Sequence, residues 1–575
     1  MRYSDSGQSS QITVHIRMVS RILRFRASCG DGPCLFWTSE FCCSSLWALG
    51  QLAVRPIWHC CNGSLFQPRL STVIEWLTDC MTRHPLCRSS NTELPQLPTR
   101  VLDLGPPGSS TWPMLFIPNG KRALYTALSH RWGGSANPPL RTTLVNLQNR
   151  MKGIDPTTLS KNFQDAIYIT RSLTIRYIWI DSLYIVQDDN DDWEQESAKM
   201  AAVYEGSHLT IAATAAAHGN VGCLHPFKPS HRFEFHDTVY FMRLVCDENF
   251  EALNLDGKSN IAPLSQRGWA FQESLLSRRV LHFGKNQLGW KCVSRHTSED
   301  GVLDLAETDM KLPVRFSGAA TPVSLRTFLH MRDHSDRYSA WYRLVEHYSA
   351  RKFTYSKDKL VALAGVVELF RTMVDDVPLA GLWKNYLHCS LLWEVSTVNK
   401  VRQANTIFGI PSWSWAYVDA PVQYAALDDV TSGDIDLLEG ILTFSGQELT
   451  SRIENARLVV RGHVGDVIVG RRDLSRSSSS MLDPVLGMSS PDISGGGYCH
   501  FDFAPYPTGF QLSYLAVSQD RGGNTNILLL TRRNSASADE FSRVGVGKIF
   551  RYSAPTESSN YLTQNSTATR VITLI

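Results

Sequence analysis

Polar residues that could bind a nucleotide follow two predicted strands. Asp181 comes directly after the apolar run Tyr177–Ile180, whose aromatic and β-branched residues are typical of a buried strand. A carboxylate in this position could bind a ribose hydroxyl or a metal ion. The alternatives are a capping residue or a member of a buried ion pair, so the sequence makes Asp181 a candidate site residue without fixing its role.

A second polar group, Ser129, Arg131 and Gly133, follows the predicted strand 125–130. If the two strands are parallel, this group lies at the same edge of the sheet as Asp181. Glycine amides and an arginine side chain suit phosphate, although no P-loop pattern is present. The alternative is a structural turn in which Trp132 packs into the interior.

An acidic stretch lies between the predicted strand that ends before Asp181 and a predicted helix, Trp193–Tyr204. Its aspartates lack the glycine and the distal glutamate of a calcium-binding loop, so a solvated turn is favoured over a cation site. Asp191 or Asp192 is expected to cap the helix. The aspartates of this stretch are Asp188, Asp189, Asp191 and Asp192.

The elements that would position these residues alternate between strand and helix. Strands are predicted near 124–129, 177–181 and 208–213, and helices over 159–173 and 193–204. This alternation predicts a parallel α/β sheet flanked by helices. Helical segments then follow, and a β-rich C-terminal subdomain begins near residue 436.

The predicted organisation has five parts. The first 70 residues show no clear period and are expected to form a variable, poorly ordered extension. The Ser- and Gly-rich stretch near 475–497 is expected to be a disordered loop. The parts are 1–70, the N-terminal flank 71–120, the α/β core 121–292, a helical region 293–435 and the β-rich subdomain 436–575.

Composition excludes several classes of protein. The chain has 575 residues, 43% of them hydrophobic and 19% charged, with a net charge of +3. This balance does not predict binding to nucleic acid or to a membrane surface, and no apolar run approaches the ~20 residues of a membrane span. The odd number of cysteines, 13, favours reduced thiols and a cytoplasmic protein.

Three potential zinc ligands, Cys80, His84 and Cys87, lie on and just after a predicted helix over 72–83. A structural zinc site needs four ligands, and no fourth is evident nearby in the sequence. The sequence therefore favours thiols that pack a helix, and we predict no metal site. The 17 histidines leave a Ser-His-Asp triad open, but no nucleophile-elbow motif supports one.

Four stretches in series resemble the heterokaryon-incompatibility (HET) domain of filamentous fungi. The family usually has Cys where this chain has Tyr184, and an aromatic residue followed by Cys where this chain has His130 and Arg131. The four stretches are 125–133 (YTALSHRWG), 177–187 (YIWIDSLYIVQ), 193–213 and 267–283 (RGWAFQESLLSRRVLHF).

The resemblance implies a fungal protein of nonself recognition that triggers growth arrest and programmed cell death. HET domains are distantly similar to TIR domains, so it also implies a TIR-like sheet. Some TIR domains cleave NAD with a glutamate just past a tryptophan. Here Glu273 follows Trp269 by four residues. The resemblance makes Glu273 a catalytic candidate, which joins Asp181, a candidate from its position after the strand. Trp269 is a binding candidate beside Ser129, Arg131 and Gly133, although its alternative is a residue of the core. The alternative for Glu273 is a helix N-terminal carboxylate or an ion-pair partner of Arg267.

Two hypotheses of function follow. The first is a TIR-like hydrolase with NAD as its substrate and no firmly implied cofactor. The second is a death-signalling module that acts by protein association and has no enzymatic activity. In both, we expect activation by another incompatibility or receptor protein, and self-association into a homo-oligomer is compatible with either.

Overall fold

We describe the protein from a computed structural model. The description covers most of the chain between Gln67 and the C-terminus and three strands before it. The described residues are 12–19, 22–29, 40–42, 67–88, 93–133, 140–224, 231–235, 238–242, 262–285, 287–299, 304–305, 333–396, 407, 409–424, 430–471, 484–488, 496–503, 507, 509–533, 539–550 and 568–575.

The N-terminal stretch contains a small antiparallel sheet. Strands β1 (Ile12–Val19) and β2 (Ile22–Cys29) form a hairpin, and β3 (Glu40–Cys42) pairs with β2. The remainder of the predicted extension 1–70, up to residue 66, lies outside the described residues. The five predicted domain boundaries stay predictions.

The first helix, α1 (Gln67–Arg83), begins five residues before the predicted start at residue 72. Val73, Trp76 and Cys80 recur at intervals of three and four residues, and all three are buried. This spacing places them on one face of the helix, which packs on the main sheet through the contact between Trp76 and Trp290.

A nine-stranded mixed sheet forms the centre of the N-terminal half. Its order is β14-β13-β12-β11-β8-β6-β7-β4-β5, and β9 and β10 form a separate hairpin. The strands are β4 (Val101–Asp103), β5 (Met114–Phe116), β6 (Tyr125–Ser129), β7 (Tyr177–Trp179), β8 (Leu209–Ala212), β9 (His231–Phe235), β10 (Thr238–Met242), β11 (Arg279–Phe283), β12 (Leu288–Cys292), β13 (His296–Ser298) and β14 (Asp304–Leu305).

The prediction of parallel strands is confirmed for the middle of this sheet. Strand β6 lies between β7 and β8 and is parallel to both, and β11 is parallel to β8. The sheet as a whole is mixed, because β4 and β5 at one edge and β12 to β14 at the other are antiparallel. Those edge strands are two to five residues long, too short for their periodicity to predict a direction.

Helices connect the parallel strands. A helix was predicted over 159–173 and is observed as α3 (Lys161–Ser172). The strand predicted near 177–181 ends at Trp179, because Asp181–Tyr184 form a helical turn. The other helices of this half are α2 (Leu147–Arg150), α4 (Asp181–Tyr184), α5 (Asn190–Gly206) and α6 (Gly268–Leu276).

The N-terminus of α5 corrects the predicted cap. Asp189, and neither Asp191 nor Asp192, is the capping residue, and its side chain accepts hydrogen bonds from both of their backbone amides. The reason is that the helix begins three residues earlier than predicted, so the residue preceding its first turn is Asp189. The charge of this carboxylate also suits the positive end of the helix dipole.

The region after the mixed sheet is organised around buried tryptophans. Trp341, Trp383, Trp393, Trp413 and Trp415 are fully buried in one apolar cluster. The spacing of apolar residues over 357–370 predicts one continuous helix, but the structure has two 3-10 turns, Ser356–Lys359 and Val361–Leu363, followed by a helix. The helices are α7 (His334–Ser349), α8 (Ala364–Val374) and α9 (Leu387–Ser390), and the strands are β15 (Pro378–Leu379), β16 (Leu382–Trp383), β17 (Glu394–Val395) and β18 (Val422–Gln423).

The C-terminal part is a second sheet of nine strands, as the β-like runs predicted. Part of the stretch 475–497 that was expected to be a disordered loop is a strand, and its remaining residues up to 495 lie outside the described part. The strands are β19 (Val430–Gly433), β20 (Ile435–Phe444), β21 (Ile453–Arg471), β22 (Pro484–Met488), β23 (Gly496–Phe501), β24 (Gln511–Asp520), β25 (Thr525–Arg532), β26 (Glu540–Ile549) and β27 (Ala568–Leu574).

Within the described part of the chain, we find no helix with the length and apolar character needed to cross a bilayer.

Candidate functional site

The carboxyl ends of β6 and β7 meet the helix α6 at a buried polar cluster. Ser129 is the last residue of β6, and Asp181 follows β7 by two residues. Glu273 projects from α6, and the hydroxyl of Ser129 donates a hydrogen bond to its Oε2. Three of the predicted site residues therefore come together in the fold, although they are separated by up to 144 positions in the chain.

Arg267 joins the two carboxylates. It immediately precedes α6, and its Nη1 lies 3.3 Å from Glu273 Oε1 while its Nη2 lies 3.2 Å from Asp181 Oδ2. Its Nη1 also donates to the backbone carbonyl of His130, at 2.7 Å. Ser129, Asp181, Arg267 and Glu273 are called the Arg267 cluster below.

The Arg267 cluster holds two carboxylates against one guanidinium. Glu273 is 0% exposed and Asp181 is 2% exposed, so both have lost nearly all their water. Burial raises the pKa of Glu273 to about 6, and repulsion from Asp181 adds to the rise, while Arg267 and Ser129 oppose it. Glu273 is therefore a carboxyl group that titrates near neutral pH, as general acid–base residues do.

Trp132 covers one side of the cluster. Its indole Nε1 donates to Asp181 Oδ2 at 2.7 Å, and the guanidinium of Arg267 lies 5.7 Å from its ring centroid. The side chain is half-buried, as is Gly133, which follows it with a φ of +82°. This left-handed conformation favours glycine, so Gly133 lets the chain turn away directly after Trp132.

His130 lies on the inner side of the cluster. It is completely buried and packs edge-on against Phe163, with ring centroids 5.1 Å apart. Burial lowers the pKa of its imidazole to about 4, and the Asp181 carboxylate 3.7 Å away only partly offsets this. The histidine is therefore neutral at neutral pH and leaves Arg267 as the cation of the site.

The other predicted binding residues lie outside these contacts. Arg131 is half-exposed, and among the described residues it forms no ion pair with the cluster. Trp269 is half-buried, packs against the apolar group that contains Tyr204, and hydrogen-bonds the buried carboxyl group of Asp358. The structure thus places Trp269 at the junction between α6 and the following region.

The side chains of three of the four aspartates of the acidic stretch form hydrogen bonds within the fold. Asp189 caps α5, and Asp188 accepts the backbone amide of Leu144 at 2.9 Å. Asp192 accepts one hydrogen bond from the side chain of Arg100 and another from the backbone amide of Val186. A cation bound at this turn would compete with these hydrogen bonds. The acidic stretch is therefore a poorer candidate for a functional site than the cluster around Arg267.

Sequence reasoning missed Arg267 as the residue that organises the site. It considered Arg267 only as an ion-pair partner of Glu273, and that pair is present together with a second one to Asp181. The sequence did offer one indication of this role, because Arg267 is the first residue of the short stretch 267–283 that also contains Glu273. The role of Trp132 was foreseen only as packing, and its hydrogen bond to Asp181 required the fold.

The residues that could hold a metal lie elsewhere. The structure adds Cys292 to the Cys80, His84 and Cys87 group, and the four ligand atoms all lie within 4.8 Å of one another. The missing fourth ligand is 205 positions beyond Cys87 in the sequence (292 − 87), which is why spacing alone did not reveal it.

Comparisons with known proteins give one positive result. Neither the search of curated proteins nor the search of solved structures found a match. The scan against family models matched residues 125–273, the segment from the start of β6 to Glu273, to the family described as Heterokaryon incompatibility protein (HET). This segment of the chain is a HET domain, which implies a role in heterokaryon incompatibility.

Proposed function

We propose that the protein is a fungal effector of nonself recognition whose activation leads to growth arrest and programmed cell death, and that its HET domain cleaves NAD in the manner of a TIR domain. The observation that supports this proposal best is the Arg267 cluster. It holds a glutamate of raised pKa, Glu273, at the carboxyl edge of a parallel sheet, where ligands of α/β proteins bind.

The proposed reaction breaks the bond between C1′ of the ribose and the nicotinamide nitrogen. The bonding electrons leave with nicotinamide, positive charge develops on the ribose, and a water molecule adds to C1′ with release of a proton. An ionised Glu273 beside the ribose stabilises that charge. With a pKa of about 6, most of the Glu273 carboxyl groups are ionised at neutral pH.

In this proposal, NAD reaches Glu273 by displacing Trp132. The indole lies against both Asp181 and Arg267 and is itself half-exposed, so its movement would open the cluster to solvent. Arg131 and Gly133 flank it, and an arginine side chain and a glycine amide suit the pyrophosphate of a dinucleotide. In this proposal Asp181 is the partner of the ribose hydroxyls.

The second candidate function is a module that signals by association without chemistry. The zero exposure of Glu273 and the 2% exposure of Asp181 favour it, because a buried cluster of hydrogen-bonded ion pairs can also serve only to fix the conformation of a domain. In either case we propose a cytoplasmic protein that another incompatibility or receptor protein activates, with self-association as the mode of signalling in the second.

One experiment separates the two candidates. The purified full-length protein is incubated with NAD, alone and after forced dimerisation through a fused tag, and free nicotinamide is measured by chromatography. Nicotinamide above the no-protein control supports the hydrolase. If none forms, but expression of the same dimerised chain in a fungal host arrests growth, the association module is supported and the hydrolase is rejected.

Growth itself tests the broader proposal. Expression of the chain should arrest a fungal host that tolerates the empty vector and a chain lacking residues 125–273. If the dimerised full chain accumulates to the same level as a harmless control protein and growth continues, the proposed role as a death effector is wrong.

A further inference from the structure

A second buried cluster, which shares no residue with the Arg267 cluster, lies where helix α1 meets the end of β12. Cys80 lies in the last turn of α1, His84 follows that helix, and Cys87 ends the 3-10 turn Pro85–Cys87. Cys292 is the last residue of β12. These four residues are called the Cys292 cluster.

The Cys292 cluster is compact and shielded from water. The three cysteines are at most 2% exposed. Nδ1 of His84 lies 3.4 Å from the sulfur of Cys292 and 4.0 Å from that of Cys87. All four potential ligand atoms are within 4.8 Å of one another.

We propose that the Cys292 cluster binds one structural zinc ion through three thiolates and one imidazole. A tetrahedral ion with Zn–S bonds of about 2.3 Å spaces its ligand atoms roughly 3.5–3.8 Å apart. The observed separations from the histidine, 3.4 and 4.0 Å, bracket that spacing. Four ligands with no open position describe a structural site, not a catalytic one.

The charge around the cluster supports zinc with three thiolates. Such a centre carries a net charge of −1, which in a buried site requires a cation nearby. Arg279 provides it, because its Nε lies 3.2 Å from the sulfur of Cys80 and its Nη2 donates to the carbonyl of Cys87 at 2.8 Å. Ser294 adds a hydroxyl 3.7 Å from the sulfur of Cys87, and hydroxyl hydrogen bonds stabilise coordinating thiolates.

The histidine is oriented as a zinc ligand would be. Its Nδ1 faces the sulfurs, and its Nε2 lies 3.6 Å from Oδ2 of Asp79. A carboxylate behind the second ring nitrogen fixes the ring and strengthens the ligand. Asp79 itself lies one turn before Arg83 and one residue before Cys80, so the same end of α1 supplies both the ligand and its partner.

The site would fasten the N-terminal flank to the sheet. Cys292 and His84 are 208 positions apart, and zinc would join the end of α1 to β12, next to the contact of Trp76 with Trp290. The energy of such a site is folding energy, since the unfolded chain does not hold the four ligands together. This role is independent of whether the HET domain is an enzyme.

The test begins with the full-length protein purified without chelators. Elemental analysis is expected to find about one zinc per chain, and replacement with cobalt should give the intense visible bands of a tetrahedral thiolate complex. Cys292→Ser and His84→Ala should lose most of the metal. Cys223→Ser, a change at a buried cysteine outside the cluster, should retain it.

Thiol accessibility supplies a readout that does not depend on the variants folding. In the zinc-loaded wild-type chain, Cys80, Cys87 and Cys292 should resist alkylation, and a strong chelator should make all three reactive and lower the melting temperature. The proposal is overturned if the wild-type chain neither contains zinc nor takes it up when reduced and supplied with it. It is also overturned if mass spectrometry of the protein as purified, before any reductant is added, finds a disulfide within the cluster.

Discussion

In the described part of the chain, Arg267 and Arg543 each organise a buried cluster, one in each half, and the two clusters are built differently. Arg267 in the HET domain faces two carboxylates, and Arg543 in the C-terminal half faces one, Asp502. Arg267 keeps 18% of its side chain exposed, whereas Arg543 keeps none. The comparison therefore sets an arginine whose side chain is completely buried against one whose side chain is still partly accessible to solvent.

The Arg543–Asp502 pair is complete. Arg543 binds both oxygens of Asp502 at 2.9 and 3.0 Å, and its Nη atoms donate to the carbonyls of Leu391 and Trp393. Its guanidinium stacks 3.3 Å from the ring centroid of Trp393. Charge and hydrogen bonds are both matched, so the pair connects β26 to the tryptophan-rich region without an unused group.

The Arg267 cluster is unbalanced by comparison. Its ion pairs are longer, at 3.2 and 3.3 Å, and one positive charge serves two negative ones. The excess of negative charge contributes to the raised pKa of Glu273. Trp132, which covers one side of the cluster, is itself half-exposed. Burying two carboxylates with one guanidinium makes this part of the domain less stable than an apolar core of the same size would be. Clusters with this cost and with a shifted pKa are typical of functional sites.

The largest effect is expected from Arg543→Met. The change leaves the buried carboxylate of Asp502 without its partner, and breaking a buried pair in this way costs about 3–5 kcal/mol. Chemical denaturation of the full chain measures the loss. The matched control is Arg570→Met, which breaks the more exposed pair with Asp539 and should cost less than about 1 kcal/mol. Equal losses for the two variants would mean that burial of the Arg543–Asp502 pair does not determine its contribution.

Glu273→Gln tests the Arg267 cluster, the second of the two clusters compared. The amide keeps the shape and removes the charge, so NAD cleavage should fall by a hundredfold or more, about 2.7 kcal/mol, while the protein stays folded. Glu196→Gln, at a glutamate of α5 that is 3% exposed and pairs with Lys199, is the control and should retain activity. A Glu273→Gln enzyme as active as the wild type would assign Glu273 to the fold alone.

The proposed NAD cleavage should depend on pH because the pKa of Glu273 is raised. In the proposed reaction the carboxylate is the active form, so the rate should be highest above pH 6 and fall as the pH drops below about 6. Between pH 7 and pH 5 the ionised fraction, and with it the rate, should drop about tenfold. Initial rates across this range, with circular dichroism to show that the chain stays folded, provide the measurement. A rate that does not change down to pH 5 would exclude Glu273 as the titrating group.

The parts of the fold that could be predicted are those whose information is local. Strands β6, β7 and β8 are apolar runs of the right length, and their alternation with helices indicated a parallel sheet. Glu273 became a candidate for the same site as Asp181 through the resemblance to a family. No periodicity in the fifty or so residues between β8 and α6 predicted that both side chains would pair with Arg267. The pairing of Arg267 with two carboxylates depends on side-chain directions that a sequence pattern does not encode.

The features that the sequence did not predict are those that depend on contacts between residues far apart in the chain. The antiparallel edge strands are a few residues long, so their direction is decided by neighbours in the sheet. Cys292 lies beside three potential ligands that are 205 to 212 positions earlier in the chain, and only the approach of α1 to β12 brings the four residues together. The 3-10 turns over 356–363 read as a helix because their apolar residues keep helical spacing up to α8.

The smallest effect is expected from Trp132→Phe. The change keeps a ring against Arg267 and removes the N–H that Asp181 accepts. A lost hydrogen bond to a charged acceptor costs roughly 1.5–3 kcal/mol when the acceptor stays dry. Because Trp132 is half-exposed, water can replace the donor, and we expect a loss of stability of about 1 kcal/mol. Chemical denaturation provides the measurement.

Trp393→Phe is the matched control, because Trp393 also donates its indole N–H, to the carbonyl of Trp413 at 3.0 Å, but at a site closed to water. It should cost at least twice as much as Trp132→Phe, since the carbonyl that it leaves behind stays unpaired and the core loses volume. If the two variants lose the same stability, water does not reach Asp181 past Trp132, and the Arg267 cluster is as closed as the Arg543–Asp502 pair. That result would weigh against NAD entering here and in favour of the association module.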